Sequence, residues 1–428
     1  MISSTLLIII IVLILATLPV LIFRKKSKIE TYGPLCMWKT KRTLGTIEKL
    51  AKKKKIWRAI ADLGIVFSFG IISTIFLLYN KKGETKKIVL YYLIFAISSL
   101  AFIIYPSGMI DRTLTGIVTL IAGIGGFAFL ALLQQSFTII SNLIIGEAAT
   151  PGVAPVIPGM KVPGIPLYVP LYAIIGLVIL LIVHEWGHGV VSRVEEIAVK
   201  SVGLLTLGLI PIGAFTEPDE KELEETTRRK RSRVYSVGSM TNFITAFTIG
   251  VIFLLPLNLL VHPGLQQQEI NNIEYWEVKE IPETSSFHGK IDPGTKIYNI
   301  EEIYQTKGPH QEITLQTDQG EIEGITDEYG GLGITVRQEK RDILGASYWI
   351  QNYIIGIFTW IVLLNFLIGV INYLPFAIFD GARIIEDISG FYGEKTGLDP
   401  EKTGKSISLI LTILVSIMLV INILPYFF

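Results

Sequence analysis

The sequence predicts a multi-spanning α-helical membrane protein of about eight transmembrane helices, with a re-entrant β-hairpin and an inserted small β-rich domain. Three observations predict it. Half of the 428 residues are hydrophobic and only 18% are charged, too apolar a balance for a water-soluble chain of this length. The apolar residues gather in runs long enough to cross a bilayer. Between residues 263 and 338 the pattern changes to polar and alternating, with turn signals at Asp292-Pro293-Gly294 and Gly330-Gly331. The formal net charge of +1 arises from basic residues beside the spans, so nothing in it points to nucleic acid. One cysteine, Cys36, excludes an internal disulfide and a thiolate metal cluster.

In chain order, residues 1–58 read as an N-terminal anchor and a basic cytoplasmic loop. The apolar run at 6–23 has no charge before it and Arg24, Lys25, Lys26 and Lys28 behind it. That asymmetry puts the N-terminus outside and describes a retained anchor better than a cleaved signal peptide. Residues 29–58 are rich in lysine, with Trp38 and Trp57 at the flanks, and are expected to lie on the headgroups as a partly helical loop.

Residues 59–146 hold further spans at 59–79, 88–105 and 114–133. The lysines between 80 and 87 would fall outside, against the positive-inside tendency. The larger basic excess at 24–58 is expected to dominate. The apolar stretch 135–145 either prolongs the fourth span or lies along the interface.

Residues 147–262 carry the chemistry. A stretch with Pro151, Pro155, Pro158, Pro163, Pro166 and Pro170 is a stiff connector or a loop that caps the site. The span beginning near Leu171 contains His184-Glu185-Trp186-Gly187-His188. On a helix the two histidines lie four apart on one face, where both imidazoles reach one metal ion. Ionisable groups at membrane depth are costly unless paired or metal-bound. The spacing is that of a zinc-hydrolase helix, with Glu185 placed as the base for the attacking water.

Residues 202–215 are glycine-rich and too short to cross, so they are expected to form a re-entrant hairpin whose free edge can take a peptide by strand addition. The charged segment 221–233, with Arg228 to Arg231, is expected in the cytoplasm. In the span at 234–261, Gly238 and Ser239 allow close packing and Asn242 needs a partner inside the protein.

Residues 263–338 form the soluble insert. Its histidines, with the neighbouring His262, are His288 and His310, and none has ligand spacing. Residues 339–428 supply spans at 347–375 and 407–424. Pro375 breaks the first of these, after Asn372-Tyr373-Leu374, and turns the chain so that Asp380, before Gly381, can point back into the bundle. A carboxylate there would complete a His184, His188, Asp380 site with a fourth position left for water. The plainer alternative is that Asp380 caps the next helix.

Together these motifs resemble the site-two protease family of intramembrane zinc metalloproteases, most of all its archaeal members. The resemblance rests on residues 184–188, on Asn372 to Pro375 with Asp380-Gly381, on Gly213 to Glu220 and on Gly238 to Asn242. The insert is similar to a PDZ module in the order Val278 to Ile281, the Asp292-Pro293-Gly294 turn, then Ile297 to Ile303.

The resemblance implies hydrolysis of peptide bonds within transmembrane segments already trimmed by an upstream site-one-type protease. It implies one Zn2+ held by His184, His188 and Asp380, Glu185 as general base and Asn372 offering its amide to the oxyanion. It also implies a multi-pass protein of the cell membrane, with the lipid bilayer and transmembrane proteins as partners. The chain departs from many relatives in having no extra proline between Pro375 and Asp380. Two other classes stay open: a non-catalytic scaffold with a structural zinc site and a peptide-binding insert, and a transporter with a broken helix, for which no inverted repeat is evident.

Overall fold

The computed structural model describes residues 29–32, 35–80, 82–104, 112–162, 167–207, 210–301, 303, 308–341 and 343–427. The span expected at 6–23 lies outside them. The chain forms two compact units, one reaching to Ile249 and resuming at Thr359, the other comprising Gly250–Phe358.

The first unit opens with strands β1 (Ile29–Tyr32) and β2 (Leu35–Thr40), followed by helix α1 (Leu44–Ala51). The expectation of a partly helical loop is therefore corrected for 29–40. Strand β2 pairs locally with β1, but its other partner, β5, lies more than 160 residues away, and a pairing that remote leaves no local signal in the sequence. Helix α1 buries Ile47 and Ala51 against Val190 and Val194.

Helices α2 (Lys54–Asn80), α3 (Thr85–Ile104) and α4 (Arg112–Ile145) follow. The 135–145 stretch thus prolongs α4. Both α2 and α4 leave helical geometry where they meet, at Gly70 with φ +58° and Gly123 with φ +68°. A Cβ on Gly70 would stand 2.6 Å from the Leu120 carbonyl oxygen and 2.8 Å from the Gly123 nitrogen. Only glycine allows both the left-handed backbone and so close a crossing.

After a short hairpin in the proline-rich stretch, β3 (Lys161–Val162) with β4 (Leu167–Tyr168), comes helix α5 (Ala173–Val194). Strands β5 (Val199–Leu207) and β6 (Ile210–Pro218) form the expected hairpin. It is half of a four-stranded antiparallel sheet in the order β1-β2-β5-β6. Trp38 on β2 stands opposite Leu204 and donates its indole N–H to Thr206 Oγ1 at 2.8 Å. One edge of β5 is thereby covered, leaving β6 as the free edge of the hairpin among the described residues.

Helix α6 (Glu220–Glu225) is capped by Asp219, whose carboxylate accepts from the Glu222 N–H at 3.1 Å. Helix α7 (Arg228–Ile249) begins six residues before the expected span, and its arginines are not free loop charges. Arg229 and Arg233 are buried against Asp62 of α2, at 2.8 and 2.7 Å, and Arg233 also reaches Glu195 beyond α5 at 3.0 Å. Arg231 pairs with Asp387 at 2.5 Å and Arg228 with Glu394 at 2.7 Å. The pairs of Arg229 and Arg233 with Asp62 and Glu195 are interior contacts, whereas Arg228 and Glu394 meet at the surface.

The second unit continues α7 through a wide turn (Gly250–Leu254) into α8 (Leu255–Leu260) and α9 (His262–Asn271). Strands β7 (Ile273–Glu280), β8 (Lys296–Ile297), β9 (Glu312–Thr317), β10 (Gly320–Ile325) and β11 (Thr335–Lys340) then form an antiparallel sheet ordered β10-β9-β8-β7-β11. Val278, Phe287, Ile297, Ile300 and Leu315 fill its core. This unit exceeds the expected 263–338 insert at both ends, because helical flanks pack with it: Leu265 meets Tyr348 and Ile355.

Helix α10 (Ala346–Asn372) is divided between the units at Thr359. Helices α11 (Asp380–Lys395) and α12 (Pro400–Ile423) complete the first unit. Among the described residues six helices are long and apolar enough to cross a membrane: α2, α4, α5, α7 with its continuation, α10 and α12. Helix α3 occupies most of the span expected at 88–105 and is not one of the six, which with 6–23 accounts for the difference from about eight.

Candidate metal centre

Helix α5 places His184 and His188 one turn apart, with their Nε2 atoms 3.1 Å from each other. The third group arrives from the other end of the fold. Helix α10 stops at Asn372, where Pro375 allows no further helical hydrogen bond. The chain then tightens through bonds from Leu374 N–H to the Ile371 carbonyl and from Phe379 N–H to the Phe376 carbonyl. Helix α11 starts at Asp380, whose Oδ2 lies 3.4 Å from each of the two histidine Nε2 atoms. Gly381 comes next by necessity, since a Cβ there would run into the Tyr373 carbonyl and stand 2.5 Å from the Leu374 carbonyl oxygen.

Helix α7 forms the wall opposite α5. Gly187 lets the two approach, for a Cβ on it would lie 2.9 Å from Thr241 Oγ1. Gly238 has a sharper reason: a Cβ there would strike His188 Nε2 and stand 2.7 Å from His184 Nε2, inside the cluster itself. His188 Nδ1–H donates to the Val234 carbonyl at 2.6 Å. His184 Nδ1 lies 3.2 Å from the side-chain amide of Asn242. Thr241 and Thr216 donate to the carbonyls of Val183 and Glu185, at 3.0 and 2.6 Å, and so hold α5 between α7 and β6.

The ligand atoms of His184, His188 and Asp380 lie within 4.8 Å of one another. Asp380 Oδ2 is buried and has no hydrogen-bond partner of its own, as a carboxylate oxygen aimed at a cation would be. Two imidazole nitrogens and one carboxylate oxygen are a zinc donor set, and three protein ligands leave a coordination position for substrate or water. The residues fit zinc. A cavity of about 410 Å3 opens onto the cluster, and Glu185, Phe215, Thr216, Tyr235 and Asn372 line it with the three candidate ligands.

All five site residues named from the sequence line this one cavity. His262, His288 and His310 belong to the other unit. What sequence reasoning missed is the support: the partner of Asn242, the place Gly238 leaves open, and Tyr373, whose hydroxyl donates to the Ser236 carbonyl at 3.0 Å. An asparagine in an apolar span, which needs a partner within the protein, was the signal for the first.

Comparison with known proteins gives the family. The model of peptidase family M50 matches residues 172–421. An uncharacterized protein of Methanocaldococcus jannaschii is 27% identical over 296 residues, 67% of this chain and 73% of the relative. No solved structure matches. Since the match to the family spans more than half of the sequence and takes in both the α5 histidines and Asp380, the chain belongs to peptidase family M50, the site-two protease family of membrane metalloproteases.

Proposed function

We propose that this protein is an intramembrane zinc metalloprotease of the cell membrane, cleaving peptide bonds within or near transmembrane segments of other proteins. The observation that carries the proposal is the convergence of His184, His188 and Asp380 from α5 and α11 on one cavity, with Glu185 and Asn372 in its wall. Bound by these three side chains, one zinc ion would supply the Lewis acid that polarises a peptide carbonyl and acidifies water.

Glu185 takes the proton of the attacking water and returns it to the leaving amine. Asn372 offers its side-chain N–H to the developing oxyanion, a contact that strengthens as charge builds up in the transition state. The free edge of β6 runs beside the cavity through Phe215 and Thr216. An extended substrate segment pairing with that edge would present its backbone to the site, so the substrate must unwind locally before cleavage. A transmembrane protein trimmed by an upstream protease is the fitting partner, and the PDZ-like insert restrains access. A scaffold with a structural zinc has no use for a carboxylate at Glu185.

The test is Glu185→Gln in purified protein, with a model transmembrane substrate. Turnover should fall by orders of magnitude while zinc stays near one per chain. Cleavage at the parent rate would overturn the mechanism.

A further inference from the structure

We propose that Asn242 is a positioning residue that sets the tautomer of His184, its Oδ1 accepting from Nδ1–H so that Nε2 keeps its lone pair for the metal. The inference rests on the reading of His184, His188 and Asp380 as ligands, and deepens it. A histidine that gives one ring nitrogen to a metal must carry its proton on the other, and what that proton bonds to fixes the ring. For His188 the partner is settled: the Val234 carbonyl, 2.6 Å from Nδ1, can only accept.

His184 has no carbonyl in that role. Its Nδ1 faces the amide nitrogen Nδ2 of Asn242 at 3.2 Å, one helical turn beyond the Gly238 that makes room for the imidazoles, and the proposed bond needs that amide turned over. Asn242 is fully buried, and its Oδ1 has no hydrogen-bond partner.

An asparagine amide carries a donor and an acceptor at nearly equivalent positions, and a half-turn about χ2 exchanges them. With Nδ2 donating to Nδ1, the His184 proton would sit on Nε2, the atom 3.1 Å from His188 Nε2 and 3.4 Å from Asp380 Oδ2. That nitrogen could then hold no cation. With Oδ1 on Nδ1–H, both histidines present Nε2 lone pairs to the point where Asp380 Oδ2 converges. The buried acceptor gains its partner in the same move. A second helix thus sets both imidazoles, through a backbone carbonyl at Val234 and a side-chain carbonyl at Asn242.

The experiment measures zinc affinity by chelator competition in the purified full chain, with the absorption spectrum of the cobalt(II)-substituted protein and histidine 15N shifts as second readouts. Asn242→Leu, which removes the acceptor, should weaken zinc about 10- to 100-fold. Asn242→Asp keeps the shape and can only accept, so it should bind zinc at least as tightly as the parent, with the His184 proton on Nδ1 and the cobalt spectrum retained. Loss of zinc from Asn242→Asp would mean that the amide donates, and would overturn the proposal; so would parent affinity in Asn242→Leu. Should Asn242→Leu fail to fold, the Asp variant alone decides. If the parent binds zinc no better than His188→Ala, the ligand assignment itself fails and this inference with it.

Discussion

The hydroxyl of Tyr373 donates to the carbonyl of Ser236 at 3.0 Å, with the whole Tyr373 side chain buried. The bond ties the residue after Asn372 to α7, two residues before the Gly238 that leaves room for the imidazoles. The loop delivering Asp380 is thus pinned to the same helix that orients the histidines.

Tyr373→Phe therefore separates positioning from ligation. It removes one buried hydrogen bond, about 1 kcal/mol, and touches none of the candidate ligands. If that energy is realised in the transition state, cleavage should slow about five- to tenfold, with zinc content unchanged in metal analysis of the same samples.

Gly238→Ala should do the opposite. Its added methyl would enter the space between the imidazoles, at 2.7 Å from His184 Nε2 and closer still to His188. Alanine favours the helix by about 1 kcal/mol over glycine, so the variant should stay folded and unfold near the temperature of the metal-free parent, while zinc and activity are lost together. Thermal unfolding in detergent and metal analysis check the two halves.

Asp62→Ala should destabilise the fold without touching the cavity. Asp62 is buried between Arg229 and Arg233, and removing one member of a buried ion pair strands the other at a cost of about 3 to 5 kcal/mol. Because α2 precedes the stretch matched by the family, this test also asks whether residues before 172 belong to the folding unit. A melting temperature equal to the parent's would show that they do not.

A pH dependence should appear in the hairpin. The Ser201 hydroxyl, 2.5 Å away, and then Lys39 at 3.4 Å hold Glu217 below its ordinary carboxylate pKa. A depressed folded value means that the stabilisation is fully present above the unfolded pKa of about 4.3 and is lost as pH falls through the folded value. Hydrogen exchange of β5 and β6 amides should accelerate on acidification through that window. In Glu217→Gln the exchange should lose its pH step beyond the intrinsic rate change.

The residues with chemistry were legible because their signals are local. Spacing on one helix announces His184, Glu185 and His188, and a proline five residues ahead announces the turn that delivers Asp380. The hairpin was legible for the same reason, since its two strands are consecutive in the chain. What sequence could not give depends on remote pairing: β2 joins β5 across more than 160 residues, and Arg229 and Arg233 look like a solvated basic run until α2 brings Asp62 to them. Nothing local in the sequence marks the glycines at 70 and 123, and only their mutual approach makes them necessary.

Those arginines bear on how the chain is made. Of the five basic residues from Arg228 to Arg233, four are held in ion pairs: Arg228 with Glu394, Arg229 and Arg233 with Asp62, and Arg231 with Asp387. Two of those partners, Glu394 and Asp387, lie more than 150 residues downstream and do not yet exist when the ribosome has just released α7. During insertion Arg228 and Arg231 still lack their partners, and their charge weighs on which end of α7 stays behind. Once α11 has been synthesised, Arg228 and Arg231 gain their partners as well. The timing of translation thus lets one set of side chains serve first as a signal read by the insertion machinery and afterwards as the cement of the finished bundle.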